Sequence, residues 1–183
     1  MNLSLSEQQQ HEMRHAFYGG APGILVSGLV WLGAALVANL VGINQAVWTL
    51  LLGGALIFPV STVLTRALGR PARTGKGNAL NQLGMASTIW LILCCAMAYG
   101  LFLLMPALFF PVMLVTIGSR YLIFASMYGR SIYWLLGGIL IVAGIGGFFL
   151  ALPPTLVAGI GGAIEVVFAC AVFSKDGGRA VQH

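Results

Sequence analysis

"APGILVSGLVWLGAALVANLVGINQAVWTLLLGGALIFPVSTVLT", residues Ala21 to Thr65, contains no Asp, Glu, Lys or Arg. A helix needs about 20 apolar residues to cross the hydrocarbon core of a bilayer, so this stretch holds two crossings and a turn. The turn signal is "NLVGINQA", Asn39 to Ala46, which divides spans of roughly 21–41 and 45–67. Two more stretches of the same kind follow. Gly77 to Ser119 carries no charge, and Ser131 to Ser174 is interrupted only by Glu165. "LLMP", ending at Pro106, divides the first into spans of roughly 83–103 and 105–127. "ALPP", Ala151 to Pro154, divides the second into roughly 132–151 and 154–173. The expected fold is an all-α integral membrane bundle of six transmembrane helices arranged as three hairpins. It would occupy residues 21–173, with a segment of residues 1–20 before it and a tail of residues 174–183 after it.

Composition agrees with this reading. The 183 residues are 59% hydrophobic and only 7% charged, with a mean hydropathy of +0.96. A soluble domain carries about a quarter charged residues, so lipid must cover most of this surface. The first apolar run is about twice as long as a signal-peptide core and follows a mostly polar segment, which predicts a retained helix. Cys94, Cys95 and Cys170 all lie in apolar spans, where a thiol behaves as a small hydrophobe rather than half of a disulfide framework.

The net charge of +5 would suggest nucleic acid on a soluble domain. Here the cations follow membrane topology instead, and no nucleic-acid partner is expected. Arg14, Arg66, Arg70, Arg73, Lys76, Arg130, Lys175 and Arg179 lie in the N-terminal segment, the loop "RALGRPARTGKGN", the turn "YGRS" and the C-terminal tail. The other three turns hold no Lys or Arg. The positive-inside rule therefore places both termini in the cytoplasm.

Within the spans two charges stand out, Glu165 and Arg120. A carboxylate near the middle of a spanning helix costs about 2.5–3.5 kcal/mol on insertion scales, so it should face the bundle interior. Ala158, Gly161, Gly162 and Ala169 share its face at helical spacing, a small-residue stripe that lets backbones approach. Arg120 lies about seven residues from the basic end of the fourth span and Glu165 about eight from that of the sixth. At 1.5 Å per residue both sit roughly 10–12 Å below that surface. Matched depth and opposite charge predict a buried Arg120–Glu165 pair. Such a pair could clamp two helices in register, or it could mark a substrate, ion or proton site.

Polar neighbours extend the candidate ligand-binding set to Arg120, Glu165, Thr116, Ser119 and Tyr121. Ser61, Thr62 and Thr65 on the second span and Ser87 and Thr88 on the third fall in the same half of the membrane. Together they could line a vestibule, or each could bond its own helix carbonyl. Pro59, Pro106 and Pro111 are expected to bend or break their helices. Before the membrane, "SEQQQHEMRHAFYGG" reads as an amphipathic approach in solvent. His11, His15 and Glu12 are too few ligands for a metal site there. No catalytic constellation is present, no cofactor is implied, and an enzyme is not expected.

At "GGALIFPVSTVLTRALGR", "KGNALNQLGM" and "TIGSRYLIFASMYGRSIYW" the chain resembles a family of small bacterial integral membrane proteins known as a domain of unknown function. The resemblance spans roughly residues 15 to 145. It implies about six helices and a bacterial cytoplasmic (inner) membrane, and it transfers no functional residues. Ala34 and Ala38 on the first span also have the spacing of a docking stripe. That spacing is similar to the substrate-binding membrane subunits of energy-coupling-factor vitamin transporters.

Three functional classes follow. The first is a protein that binds or transports a small solute or ion between the fourth and sixth spans, with a possible homo-oligomer. The second is a structural or accessory membrane protein with a purely architectural Arg120–Glu165 pair. The third is a membrane-embedded enzyme acting on lipid, with Ser119, Ser126 or Cys170 as nucleophile.

Overall fold

The computed structural model describes residues 4–75 and 77–180, with side chains described up to Lys175 apart from residue 76. Lys76 and Arg179 of the basic set lie outside the described side chains. The described residues are all-α: α1 Leu5–Phe17, α2 Ala21–Leu40, α3 Ile43–Ala67, α4 Leu80–Leu104, α5 Phe109–Tyr128, α6 Ile132–Phe149 and α7 Pro154–Ala180. Among them are six helices long and apolar enough to cross a membrane. By helix length and composition the chain is a multi-pass membrane protein. Large apolar side chains point outward along α3 and α4, among them Leu56, Phe58, Met85 and Met97. A lipid bilayer is the surrounding that such a surface requires.

Local chemistry sets the boundaries. Ser4 and Glu7 form a reciprocal capping box that starts α1. The chain then turns through left-handed Tyr18, Gly19 and Gly20 into α2, with Pro22 in its first turn. A side chain at Gly20 would meet the Tyr133 hydroxyl and would have to adopt a φ of +88°, so this bend favours glycine. α4 begins at Leu80, earlier than the apolar run predicts, because the Asn78 side chain accepts the Leu80 N–H at 3.0 Å. Pro106 does break the chain: residues Pro106–Leu108 form one tight turn before α5. The other two expected bends differ. Pro111 is the third residue of α5, where its missing N–H has no partner to lose, and Pro59 lies inside an unbroken α3.

Helix pairing is decided by glycine. The most extensive packing is α2 on α7 and α5 on α6. A Cβ on Gly28 would lie 3.0 Å from the Gly162 carbonyl oxygen, and one on Gly162 would lie 2.9 Å from that of Gly28. The α5–α6 crossing is built the same way, with 2.7 Å for Gly118 against the Gly137 carbonyl and 2.6 Å for the reverse. Backbone contact of this kind replaces the hydrophobic drive that lipid removes. Far from the basic residues, an aromatic chain of Trp48, Tyr99, Phe102, Phe109, Phe110 and Trp31 links α3, α4, α5 and α2. Ala34 is fully buried inside the bundle and Ala38 is half-buried against the same core, so the alanine pair of α2 packs inward.

At the basic end, α1 is tied down rather than free in solvent. Gln10 Nε2 and Arg14 Nη1 donate to the carbonyls of Ser126 and Tyr128, in the last turn of α5. Those carbonyls have no partner within their own helix, and a cation there suits the helix dipole. The Ala72 N–H donates to the Ala16 carbonyl at 3.0 Å, and Arg70 stacks 5.1 Å over the Tyr18 ring. Glu12 accepts from the Gly75 N–H and, at 2.8 Å, from Asn78 Nδ2.

These bonds, the backbone bond from Gly75 first, hold the Glu12 carboxyl below the usual carboxylate range. A carboxyl depressed on folding contributes stability at neutral pH and loses it as pH falls through the folded value. Spin labels on α1 and on the Arg66–Asn78 loop should therefore keep a fixed distance near neutrality and separate below about pH 4. Glu12→Ala should abolish that step. An identical acid response in the variant would assign it to another group.

Candidate functional site

Arg120 and Tyr121 are consecutive on α5, and a helix turns about 100° per residue, so the two look in different directions. This simple fact overturns the expected Arg120–Glu165 pair. Tyr121 faces the interior, where its hydroxyl donates to Glu165 Oε1 at 2.7 Å. Arg120 faces α4, where Nε donates to Ser87 Oγ at 3.0 Å and a terminal nitrogen to Thr88 Oγ1 at 3.3 Å. Depth was matched as the sequence predicts, but azimuth was not. Counting residues along an axis fixes the first and says little about the second.

Glu165 sits in a sealed place. It is fully buried, as is Tyr121 to within 4%. Gly161 and Gly162, one turn before it, lie against Trp31 and Leu114 and against Gly28 and Leu32 respectively. The Ser27 hydroxyl on α2 adjoins the Glu165–Tyr121 pair. Glu165 Oε2 is buried without a hydrogen-bond partner of its own. Thus α2, α5 and α7 meet at one polar knot. Behind it, Tyr121 and Tyr133 stack with ring centroids 6.1 Å apart, and Tyr133 and Tyr128 at 5.4 Å. Tyr133 in turn donates to the Gly19 carbonyl at the α1–α2 bend.

The Arg120 side is more open. The guanidinium lies 5.3 Å over the Phe124 ring and is half-buried, Ser87 beneath it is buried, and Thr88 is exposed on the outer face of α4. The titratable groups that interact with it are Tyr121, Tyr128 and Cys95, none of them a carboxylate that would pair with it. Neither α3, α4 nor α5 contains an Asp or Glu. Arg120 is therefore a cation within a membrane-spanning helix whose described partners are two hydroxyls and an aromatic face.

The other candidates divide. Thr116 donates to the Val112 carbonyl at 2.9 Å and Ser119 to that of Thr116 at 2.7 Å. Ser61 and Thr65 likewise bond carbonyls of their own helix. The structure thus brings Arg120 together with Ser87 and Thr88, and Glu165 with Tyr121 and Ser27. Ser27 was not singled out from the sequence. Its position beside Gly28 is a signal only once Gly28 is known to touch α7.

The family model of a family of unknown function (DUF7010) matches residues 6–175, so the chain belongs to that family. No curated protein and no solved structure matches the chain.

Proposed function

We propose, since membership of that family supplies no activity, that the chain binds a small anionic solute or ion at Arg120 and carries it across the membrane. The observation that supports this is the Arg120 guanidinium, within a span and with no acidic partner from α3, α4 or α5. Intramembrane charges are expensive and often mark a pathway. A guanidinium that bonds only two neutral hydroxyls keeps donors for a carboxylate or phosphate oxygen. Ser87 and Thr88 fix its orientation, and Phe124 supports its flat face. Thr116, Ser119 and Tyr121 place Arg120 from α5, with Tyr121 anchoring that helix to Glu165.

The charge pattern supports three hairpins with both termini cytoplasmic, which puts Arg120 in the cytoplasmic half. The membrane we propose is a bacterial inner membrane, and a homo-oligomer would leave this arrangement intact. Wild-type protein in nanodiscs should gain thermal stability from one or more of phosphate, sulfate, phosphate monoesters and carboxylates of short or long chain. Arg120→Gln should weaken the binding about 10–100-fold, matching about 1.5–3 kcal/mol for a charge-assisted hydrogen bond. Equal response of wild type and variant to every anion would sink this reading.

A second reading has its own support. The sealed Glu165–Tyr121–Ser27 knot suits an architectural role, in which the chain is an accessory membrane protein and the knot holds three helices. Reduced stability in Glu165 variants, together with no Arg120-dependent binding of any anion, would favour it. The lipid-enzyme reading has less to stand on, since Ser119 bonds its own helix and Cys170 lies on an exposed, apolar surface of α7.

A further inference from the structure

We infer that the anion taken by Arg120 is amphiphilic, an oxyanion head on an apolar tail, and that it enters from the bilayer along the outer face of α4. This rests on the anion-binding reading above and narrows its ligand class. Arg120 reaches the surface of the bundle at Thr88, an exposed residue on the outer side of α4. Residues sharing that helix face are Asn81 and Met85 toward the basic end, then Ile92 and Cys95 deeper in the membrane. Asn81 is exposed, Met85 is 67% exposed and Ile92 is 62% exposed. Polarity thus falls along one stripe, with the cation at the step between its polar and apolar parts.

Depth supports the same ligand. Thr88 lies eight residues into α4 and Arg120 eight before the end of α5, so both are roughly 12 Å from their helix ends. A water-borne anion would have to shed its hydration to reach that point beside exposed apolar side chains. An amphiphile already in the bilayer brings only its head to the guanidinium, while its tail stays in lipid beside Ile92. The neighbouring helix leaves the approach open. The aromatic contact of α3 with α4, Trp48 against Tyr99, lies at the opposite end, and nearer the basic end α3 shows exposed Phe58, Val60 and Val63. Charge complementarity selects the head: the basic end carries Arg66, Arg70 and Arg73, and α4 and α5, which hold the site, carry no acid. Carboxylate and phosphate heads share the chemistry that a guanidinium reads.

The test uses the full chain in phosphatidylcholine nanodiscs with palmitic acid or lysophosphatidic acid, against water-soluble acetate and glycerol phosphate. Native mass spectrometry counts the bound anion. A tail-brominated fatty acid reports position by quenching a tryptophan placed on the Thr88 face by Ile92→Trp, in protein whose exposed Trp48, Trp90 and Trp134 are replaced by Phe. Wild type should retain one amphiphile, and the Ile92→Trp protein should show quenching that Arg120→Gln reduces. Arg120→Gln should lose at least tenfold in retention, and Arg120→Lys, which keeps the charge, should lose less. Equal retention by wild type and Arg120→Gln would mean partition into lipid only and would overturn the inference. Binding of acetate or glycerol phosphate at Arg120 without competition from the amphiphiles would overturn it while leaving the anion-binding reading standing. No Arg120-dependent binding of any of the four would remove both.

Discussion

Gly137→Ala is expected to destabilise the purified protein by about 1–3 kcal/mol, and Gly138→Ala to leave it unchanged or more stable by roughly 0.5–1 kcal/mol. The two residues adjoin in one Gly-Gly pair of α6. A Cβ on Gly137 would lie 2.6 Å from the Gly118 carbonyl oxygen and 2.7 Å from Leu122 Cδ2. The first of these is backbone, so no rotamer change relieves it, and α5 and α6 must part. A Cβ on Gly138 meets nothing within 4 Å, so alanine there only restricts the unfolded chain and improves helix propensity. Gly118→Ala should behave like Gly137→Ala, since its Cβ would lie 2.7 Å from the Gly137 carbonyl. The measurement is steric-trapping or denaturant unfolding in the same lipid or detergent for all three variants. Equal effects at Gly137 and Gly138 would show that α5 and α6 do not cross as described.

Glu165→Ala is the second large effect, on the order of 3 kcal/mol or more, and it divides into two parts. The Tyr121 hydroxyl loses its acceptor in a fully buried site, which costs about 1–3 kcal/mol. The vacated side-chain volume leaves a cavity, which adds a cost of the kind seen for large-to-small core changes, about 2 kcal/mol at the low end. Glu165→Gln keeps the shape and the Oε1 acceptor but puts an amide N–H group where Oε2 has no partner, and should cost about 1–3 kcal/mol, less than Glu165→Ala. Tyr121→Phe removes the donor instead, and in a double-mutant cycle with Glu165→Ala the two losses should be strongly non-additive. Additive losses would break the assignment of Tyr121 as the partner of Glu165. Function adds a discriminating readout: if Arg120 binds the anion, Glu165→Gln retains binding while Arg120→Gln does not.

These residues show where one-dimensional reading reaches its limit. The charge-free runs and their turn signals were enough to place six helices long and apolar enough to cross, because a bilayer demands length and apolarity, and both are sums over residues. Pro106 and the Asn39–Ala46 turn marked true breaks. Glu165 was legible as an interior residue, since its helix face is otherwise Ala and Gly. Its partner was not legible. Tyr121 was named only as a neighbour of Arg120, and Ser27 drew no attention beside Gly28.

By itself, then, the sequence determined that this is a membrane bundle of six apolar helices, where its cations cluster, and how far along their helices Arg120 and Glu165 lie. Only the tertiary structure decided which helices touch, which glycine of each pair makes the contact, and which way each charge looks. The physical reason is that depth follows from counting 1.5 Å steps along one axis. Azimuth instead follows from how six axes pack. One residue of difference on α5 separates a guanidinium held by hydroxyls from a phenol bonded to a carboxyl group.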